Sequence, residues 1–213
     1  MTWIITGEQP FPAVIGEPFG GGYFAGYISH TADGNPTHAL IVAPREAGYN
    51  SLSSIKYKLV NTSTPGAVSS FDGVINTNAM IADDVNTGIQ NHPAAQYCAN
   101  LDIGGFTDWY FPSRYELDIA YFNLKPSTTP NSTSWGINDY SVPKRTINNT
   151  LTYPVQTSVT AFTTSLQAFI NEFQWSSTEN NGDGWAYSFD TGSQVAIPKT
   201  LNYRVRAFRR IAL

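Results

Sequence analysis

The residues of this 213-residue chain that are equipped for bond-making or ligation are few and scattered. A single cysteine, Cys98, excludes a disulfide within the chain and any multi-cysteine zinc site. The histidines His30, His38 and His92 are far apart in sequence, and none falls at metal-ligand spacing. Glu116 stands three residues after Ser113, the spacing of a capping box, so its carboxylate reads as a helix cap rather than a general acid. Arg114 and Asp118 have the i, i+4 spacing of a helical ion pair. No nucleophile motif, phosphate-cradling loop or histidine dyad is legible, and the chain is not expected to be an enzyme.

Chemistry of recognition is better represented. Trp135 and Tyr140 lie in a long polar stretch, and Trp185 follows the Asn-rich segment Asn180-Asn181-Gly182-Asp183. Exposed aromatic faces stack on sugars or fill protein pockets, while Asn and Ser supply adaptable hydrogen bonds. The competing reading has Trp135 and Tyr140 folding back over the loop's own small core. The segment Glu179–Gly184 also gathers oxygen ligands as calcium sites do, but without EF-hand alternation. Asn-Gly and Asp-Gly pairs are ordinary turn chemistry, so a plain turn and no cofactor are expected, with a structural calcium ion as the alternative. Arg204, Arg206, Arg209 and Arg210 concentrate cations near the C-terminus. They read first as clamps on carboxylates and carbonyls, and second as a patch for acidic glycans.

Composition narrows the class. Charged residues are 13% against 41% hydrophobic and 14% aromatic, so the surface must be largely uncharged hydrogen-bonding groups. That excludes a charged disordered tail and a coiled coil. With 12 Lys and Arg against 16 Asp and Glu, nucleic acid is not an expected partner. No apolar run approaches the roughly 20 residues of a membrane-spanning helix, and the first residues lack a secretory signal's cationic flank. Neither membrane insertion nor Sec export is expected.

These residues need elements to hold them. Residues 1–20, with Trp3, Ile4, Ile5 and three prolines, read as an extended arm. The runs 23–28 and 39–43, separated by Asp33-Gly34-Asn35-Pro36, predict a hairpin. Pro93 at a first helical position, followed by Ala94, Tyr97, Cys98 and Leu101 at helical spacing, predicts one helix ending at Gly104-Gly105. Cys98 is then a buried, inert thiol. The Ser113/Glu116 box with Leu117, Ala120, Tyr121 and Leu124 predicts a second helix ended by Pro126. Residues 126–156 form a long loop, 166–173 carry the spacing of a short helix, and strands return from Trp185 to Ile211.

Three of these segments resemble signatures of the Lcl C-terminal domain family. They are residues 104–117 (GGFTDWYFPSRYEL), 175–179 (WSSTE) and 203–210 (YRVRAFRR). The early strands around Gly21–Ile28 and Ala39–Pro44 fit the same family's opening segments. The resemblance implies an α+β, C-type-lectin-like fold over residues 21–213, with small antiparallel sheets, two main helices and long surface loops. It makes Asp108, Trp109, Ser113, Glu116, Trp175, Arg204 and Arg206 architectural, Asp108 accepting backbone donors ahead of the helix. The family's formylglycine-generating relatives in this fold work through a cysteine pair, which one cysteine cannot supply.

The family includes glycan-binding adhesin tips and phage virion proteins of the tail-fibre kind, and the texture here is similar to the phage members. The expectation is therefore a non-enzymatic virion protein, a tail-fibre or receptor-binding component. Its expected partners are other virion proteins and a host-surface glycan or protein. It would dock through Trp3, Ile4 and Ile5, form a homo-oligomer with a trimer favoured, and touch glycan through Trp135, Tyr140, Asn180, Asn181, Asp183 and Trp185. The alternatives are a bacterial surface adhesin domain and a capsid or neck decoration without a receptor role.

Overall fold

The computed structural model describes residues 11–50 and 53–213. It is a mixed helix-and-sheet protein with small antiparallel sheets and five helices among the described residues. The first sheet joins β1 (Pro18–Phe19), β2 (Gly22–Ile28), β3 (His38–Val42) and β10 (Phe208–Ala212) in that order. The expected hairpin is β2–β3. Ala39–Val42 is an unbroken apolar run, which is the pattern of a strand covered on both faces. The structure follows it: Ala39 and Ile41 enter one core with Phe24, Trp109 and Trp175, while Leu40 and Val42 enter another with Leu117, Tyr121 and Phe208.

The second half of the expected arm belongs to this sheet. Besides β1, the Gly16 amide donates to Phe24 O at 2.8 Å and Tyr27 Oη donates to Pro12 O at 2.6 Å, so the body begins by Pro12. Trp3, Ile4 and Ile5 lie outside the described residues.

Both expected helices form, and between β3 and the first of them lie a short α1 (Arg45–Gly48), β4 (Ile55–Lys56) and the longest helix, α2 (Gly73–Thr87). No apolar stripe announces α2. Its buried face is Gly73, Asn76, Thr77, Met80 and Asp84, helical in spacing but mostly polar, while Ile75 and Val85 are exposed. The Asp72 side chain caps it by accepting from the Ile75 amide at 3.0 Å. Gly88 ends it in the left-handed region at φ 68°. The expected helices follow as α3 (Pro93–Ala99), with Cys98 buried, and α4 (Arg114–Leu124); α3 stops at the Asn100 cap, short of the expected end at Gly104-Gly105, so Leu101 lies beyond it.

After α4 the long segment 126–156 contributes only β5 (Ser141–Val142), which pairs with Tyr27 and Ile28 of β2 beyond the reach of β1. The helix expected at 166–173 is absent. A single turn, α5 (Thr160–Thr163), precedes it, Leu166 is exposed, and Phe173 opens β6 (Phe173–Asn180). Cross-strand pairing of Phe173 with Ser188 outweighs local helical spacing here. Strand β6 pairs with β7 (Asp183–Ser188), which pairs with β8 (Gln194–Pro198), while β9 (Asn202–Tyr203) pairs with β4. Helix α4 packs against both β2 and β7, so it bridges the two larger sheets.

Candidate functional site

The first turn of α4 organises a surface ribbon. Glu116 is wholly buried and accepts from the Ser113 amide at 2.7 Å, the Gly73 amide at 3.2 Å and Tyr110 Oη at 2.6 Å. Burial pushes its carboxyl up to about 7 against these donors. Fixing Glu116 inward turns the preceding residues, Arg114 and Tyr115, toward the half-exposed side.

Arg114 does not pair with Asp118. Its guanidinium carbon lies 4.2 Å from the Trp185 ring centroid and 5.1 Å from that of Trp135, and the two indoles meet edge to face at 6.0 Å. Arg114 Nε donates to the Gln194 side-chain oxygen, and no carboxylate lies within ion-pair distance among the described residues. Burial draws its pKa below the ordinary arginine value. The ribbon continues from Arg114 to Tyr115 at 5.5 Å, to Tyr140 at 5.7 Å, and to Phe71, which stacks on Tyr140 at 4.1 Å and 7°. All six side chains are half-buried and come from four separate stretches of chain.

The loop supplying Trp135 and Tyr140 is pinned by buried asparagines. Asn138 Nδ2 donates to Asp118 Oδ2 at 2.7 Å and to Tyr115 O at 3.1 Å, while its Oδ1 accepts the Tyr140 amide at 3.0 Å. Asn131 Oδ1 accepts from Lys125 Nζ at 2.7 Å and Tyr121 Oη at 2.6 Å, and its Nδ2 donates to Thr150 O and Pro154 O. The Asn149 amide donates to Trp135 O at 2.7 Å, passing so close to Gly136 that a Cβ there would meet it at 2.4 Å. Asp118, freed from Arg114, binds Arg145 and accepts Tyr187 Oη at 2.8 Å. Trp135 and Tyr140 therefore fold back, but onto α4, β7 and Phe71 rather than onto a private loop core.

The other anticipated residues divide. Asn180 and Asn181 form the exposed β6–β7 turn, Asn181 in the left-handed region at φ 55°. Glu179 is withdrawn from that turn and binds Lys199 Nζ at 2.7 Å and the Thr64 amide at 2.8 Å, so the turn does not close as an oxygen ring. Asp183 accepts from Asn61 Nδ2 at 3.3 Å; by strand alternation it shares a face with Trp185. Trp109 and Trp175 are buried, their indole N–H groups donating to Phe106 O at 2.9 Å and Ile55 O at 3.0 Å. Asp108 is a correction: its exposed carboxylate binds Arg209 Nε instead of backbone donors.

The C-terminal arginines are clamps. Arg204 binds Glu172 at 2.9 Å and Arg210 binds Asp72 at 2.7 Å. Arg206 is fully buried and donates to Ala43 O at 2.8 Å, Gln167 O at 2.7 Å and Gln167 Oε1 at 3.2 Å. Burial pulls its pKa down to about 9.

One cluster has no counterpart in the sequence reading. His92 Nδ1 meets Asp84 Oδ1 at 2.6 Å, and its Nε2 meets Thr64 Oγ1 at 2.8 Å, the order of a carboxylate–imidazole–hydroxyl relay. Asp83, Asp84 and His92 also bring three ligand atoms within 4.8 Å of one another, a grouping that histidine spacing along the chain does not reveal. The C-terminal turn of α2 closes the eight-residue gap between Asp84 and His92. Yet Thr64 is 1% exposed and its hydroxyl accepts from Lys58 Nζ at 2.9 Å, while the same ammonium stands 3.5 Å from Asp83. The arrangement ties the 58–67 segment to α2 and offers a substrate no approach. His30 and His38 are likewise neighbours, with ring centroids 4.5 Å apart across the hairpin.

Comparison of the chain with protein-family models and with curated proteins gave no match. No helix among the described residues is long and apolar enough to cross a membrane.

Proposed function

We propose that this chain is a non-enzymatic recognition protein of a phage particle. In this reading it is a C-type-lectin-like module of the tail-fibre or receptor-binding kind that holds a host-surface glycan on the Arg114 ribbon. The observation carrying the reading is the ribbon itself: the three anticipated aromatic residues, Trp135, Tyr140 and Trp185, converge on one half-exposed face. Aromatic faces bind sugar rings through their apolar C–H surfaces, and rigid rings lose little entropy on binding. The buried asparagines give that surface a fixed shape, which lowers the cost of ordering it around a ligand. The Asp84–His92–Thr64 relay does not favour catalysis, because its hydroxyl is enclosed and already occupied by Lys58. Oligomeric assembly with other virion proteins belongs to the same proposal.

The test has two arms. Mass spectrometry of purified particles is expected to find the chain, and purified protein is expected to adhere to host cells and be competed by soluble surface polysaccharide. W185A and W135A are expected to lose at least about tenfold in adhesion while keeping their fold. Absence from particles, or adhesion indifferent to both substitutions, overturns the proposal.

A further inference from the structure

We infer that the ribbon selects a sugar bearing a carboxylate, with Arg114 as the residue that reads the charge. This rests on the recognition reading above and names its ligand class. A guanidinium carries five N–H donors, and Arg114 spends only its Nε–H, on Gln194. Its two terminal nitrogens have no protein acceptor among the described residues. The contrast with Arg206 is direct, since that side chain directs all three nitrogens at oxygens of Ala43 and Gln167. Arg204, Arg209 and Arg210 each have a carboxylate partner.

Arg114 is thus a partly desolvated cation, flanked by Trp185 and Trp135, with a planar pair of donors left over. Cation–π contact holds the guanidinium in place without using its N–H groups. A planar fork of donors matches a carboxylate bidentately, which an ammonium cannot do. The indole of Trp185 offers a stacking face beside that fork. Asp183 lies two residues before Trp185 at the start of β7, about 7 Å away on the same face, and one of its carboxylate oxygens is free to accept sugar hydroxyls. A hydroxylated ring with its carboxylate toward Arg114 and its hydroxyls toward Asp183 satisfies both ends. The reverse orientation sets two carboxylates together, which fixes the polarity of binding.

The experiment passes the purified full chain over immobilised polygalacturonate, hyaluronate and polysialate, and over the carboxyl-reduced form of each, in about 0.1 M salt. At least one acidic polymer is expected to bind at least about tenfold more tightly than its reduced form. R114Q is expected to abolish that preference and R114K to restore only part of it. R209Q, which removes the same charge elsewhere, should bind as the unaltered chain does. A titration of the unaltered chain supplies a readout that needs no variant: acidic oligosaccharide should perturb tryptophan fluorescence and its reduced counterpart should not. Equal binding of acidic and reduced polymers, equal losses in R114Q and R209Q, or no binding to any acidic polymer overturns the inference. Binding of the reduced polymers that W185A removes overturns acid selectivity alone and leaves the recognition reading standing.

Discussion

Arg206 and Arg114 are the same side chain in two opposite situations. Arg206 sits at the crossing of β3 and the 160s segment, wholly buried, surrounded by Tyr49, Phe162 and Phe169 and satisfied by three oxygens. Arg114 rests on indoles at a half-exposed surface, with one acceptor. Buried polar groups must be satisfied internally because no water replaces a missing partner, whereas a surface cation can keep donors in reserve. The difference teaches where to look for function in this protein: among arginines that the fold has not consumed.

The comparison breaks most visibly at Arg206. R206A leaves the buried carbonyls of Ala43 and Gln167 without a donor, leaves the Gln167 side-chain oxygen with only the Arg45 amide, and opens a cavity between aromatic rings. Urea unfolding of the purified variant should show a loss of roughly 3–5 kcal/mol. Next in size is Glu116, whose two oxygens serve three donors. E116Q retains one acceptor oxygen and should cost about 2 kcal/mol at pH 6 in the same measurement.

The pH dependence sharpens the picture further. Glu116 titrates at about 7 when folded against an ordinary 4.5, so the native state holds the extra proton between these values. Its contribution is present below pH 4.5 and is lost as pH rises to 7. His30 runs the other way: burial first, then Arg210, pull it from 6.5 to about 4 despite Asp72. The unfolded chain therefore binds more protons in that window, and stability falls as pH drops from 6.5 to 4, by on the order of 1 kcal/mol after solvent screening. The two slopes oppose each other between pH 4.5 and 6.5. The Glu116 shift is the larger because that carboxyl is fully buried, so urea midpoints across that range should fall toward neutral pH for the unaltered chain and should fall toward acid in E116Q. A midpoint that still falls toward neutral pH in E116Q contradicts this assignment.

The smallest effects on stability belong to the surface. R114Q should cost about 1 kcal/mol or less, the scale of its cation–π contacts, although its effect on acidic-glycan binding is the largest of the set. R209Q, which breaks a pair with the exposed Asp108, should fall below 1 kcal/mol in thermal or urea unfolding. A loss in R209Q as large as that in R206A would erase the distinction between clamps and surface pairs.

Where local signals were strong, sequence and structure agree. Pro93 and the Ala94–Cys98 stripe set α3, the Ser113/Glu116 pair set α4, and the turn at Asp33–Pro36 set the first hairpin. Local signals failed where partners come from afar. The buried face of α2 is polar because Asn76 reaches Ser69 and Ser177, and Asp84 reaches His92, so no apolar stripe exists to read. Residues 126–156 have a disordered chain's composition, yet Asn131, Asn138 and Asn149 are buried as its fasteners. The candidate site shows the same division. Trp135, Tyr140 and Trp185 are legible as aromatics in polar company, whereas helical spacing pairs Arg114 with Asp118 and the structure sets it against the indoles instead.

The chain alone determined its inventory: one thiol, few charges, ample aromatics, and the caps and turns that start and stop its best-marked elements. These follow from short-range sterics and backbone hydrogen bonding, which act within a few residues and so leave a trace in order and spacing. Only the tertiary structure decided which charges are spent and which are spare, which histidine meets which carboxylate, and that four separate stretches form one aromatic face. Those outcomes depend on distances between residues far apart along the chain, and burial then fixes their energies by removing the water that makes most polar contacts interchangeable.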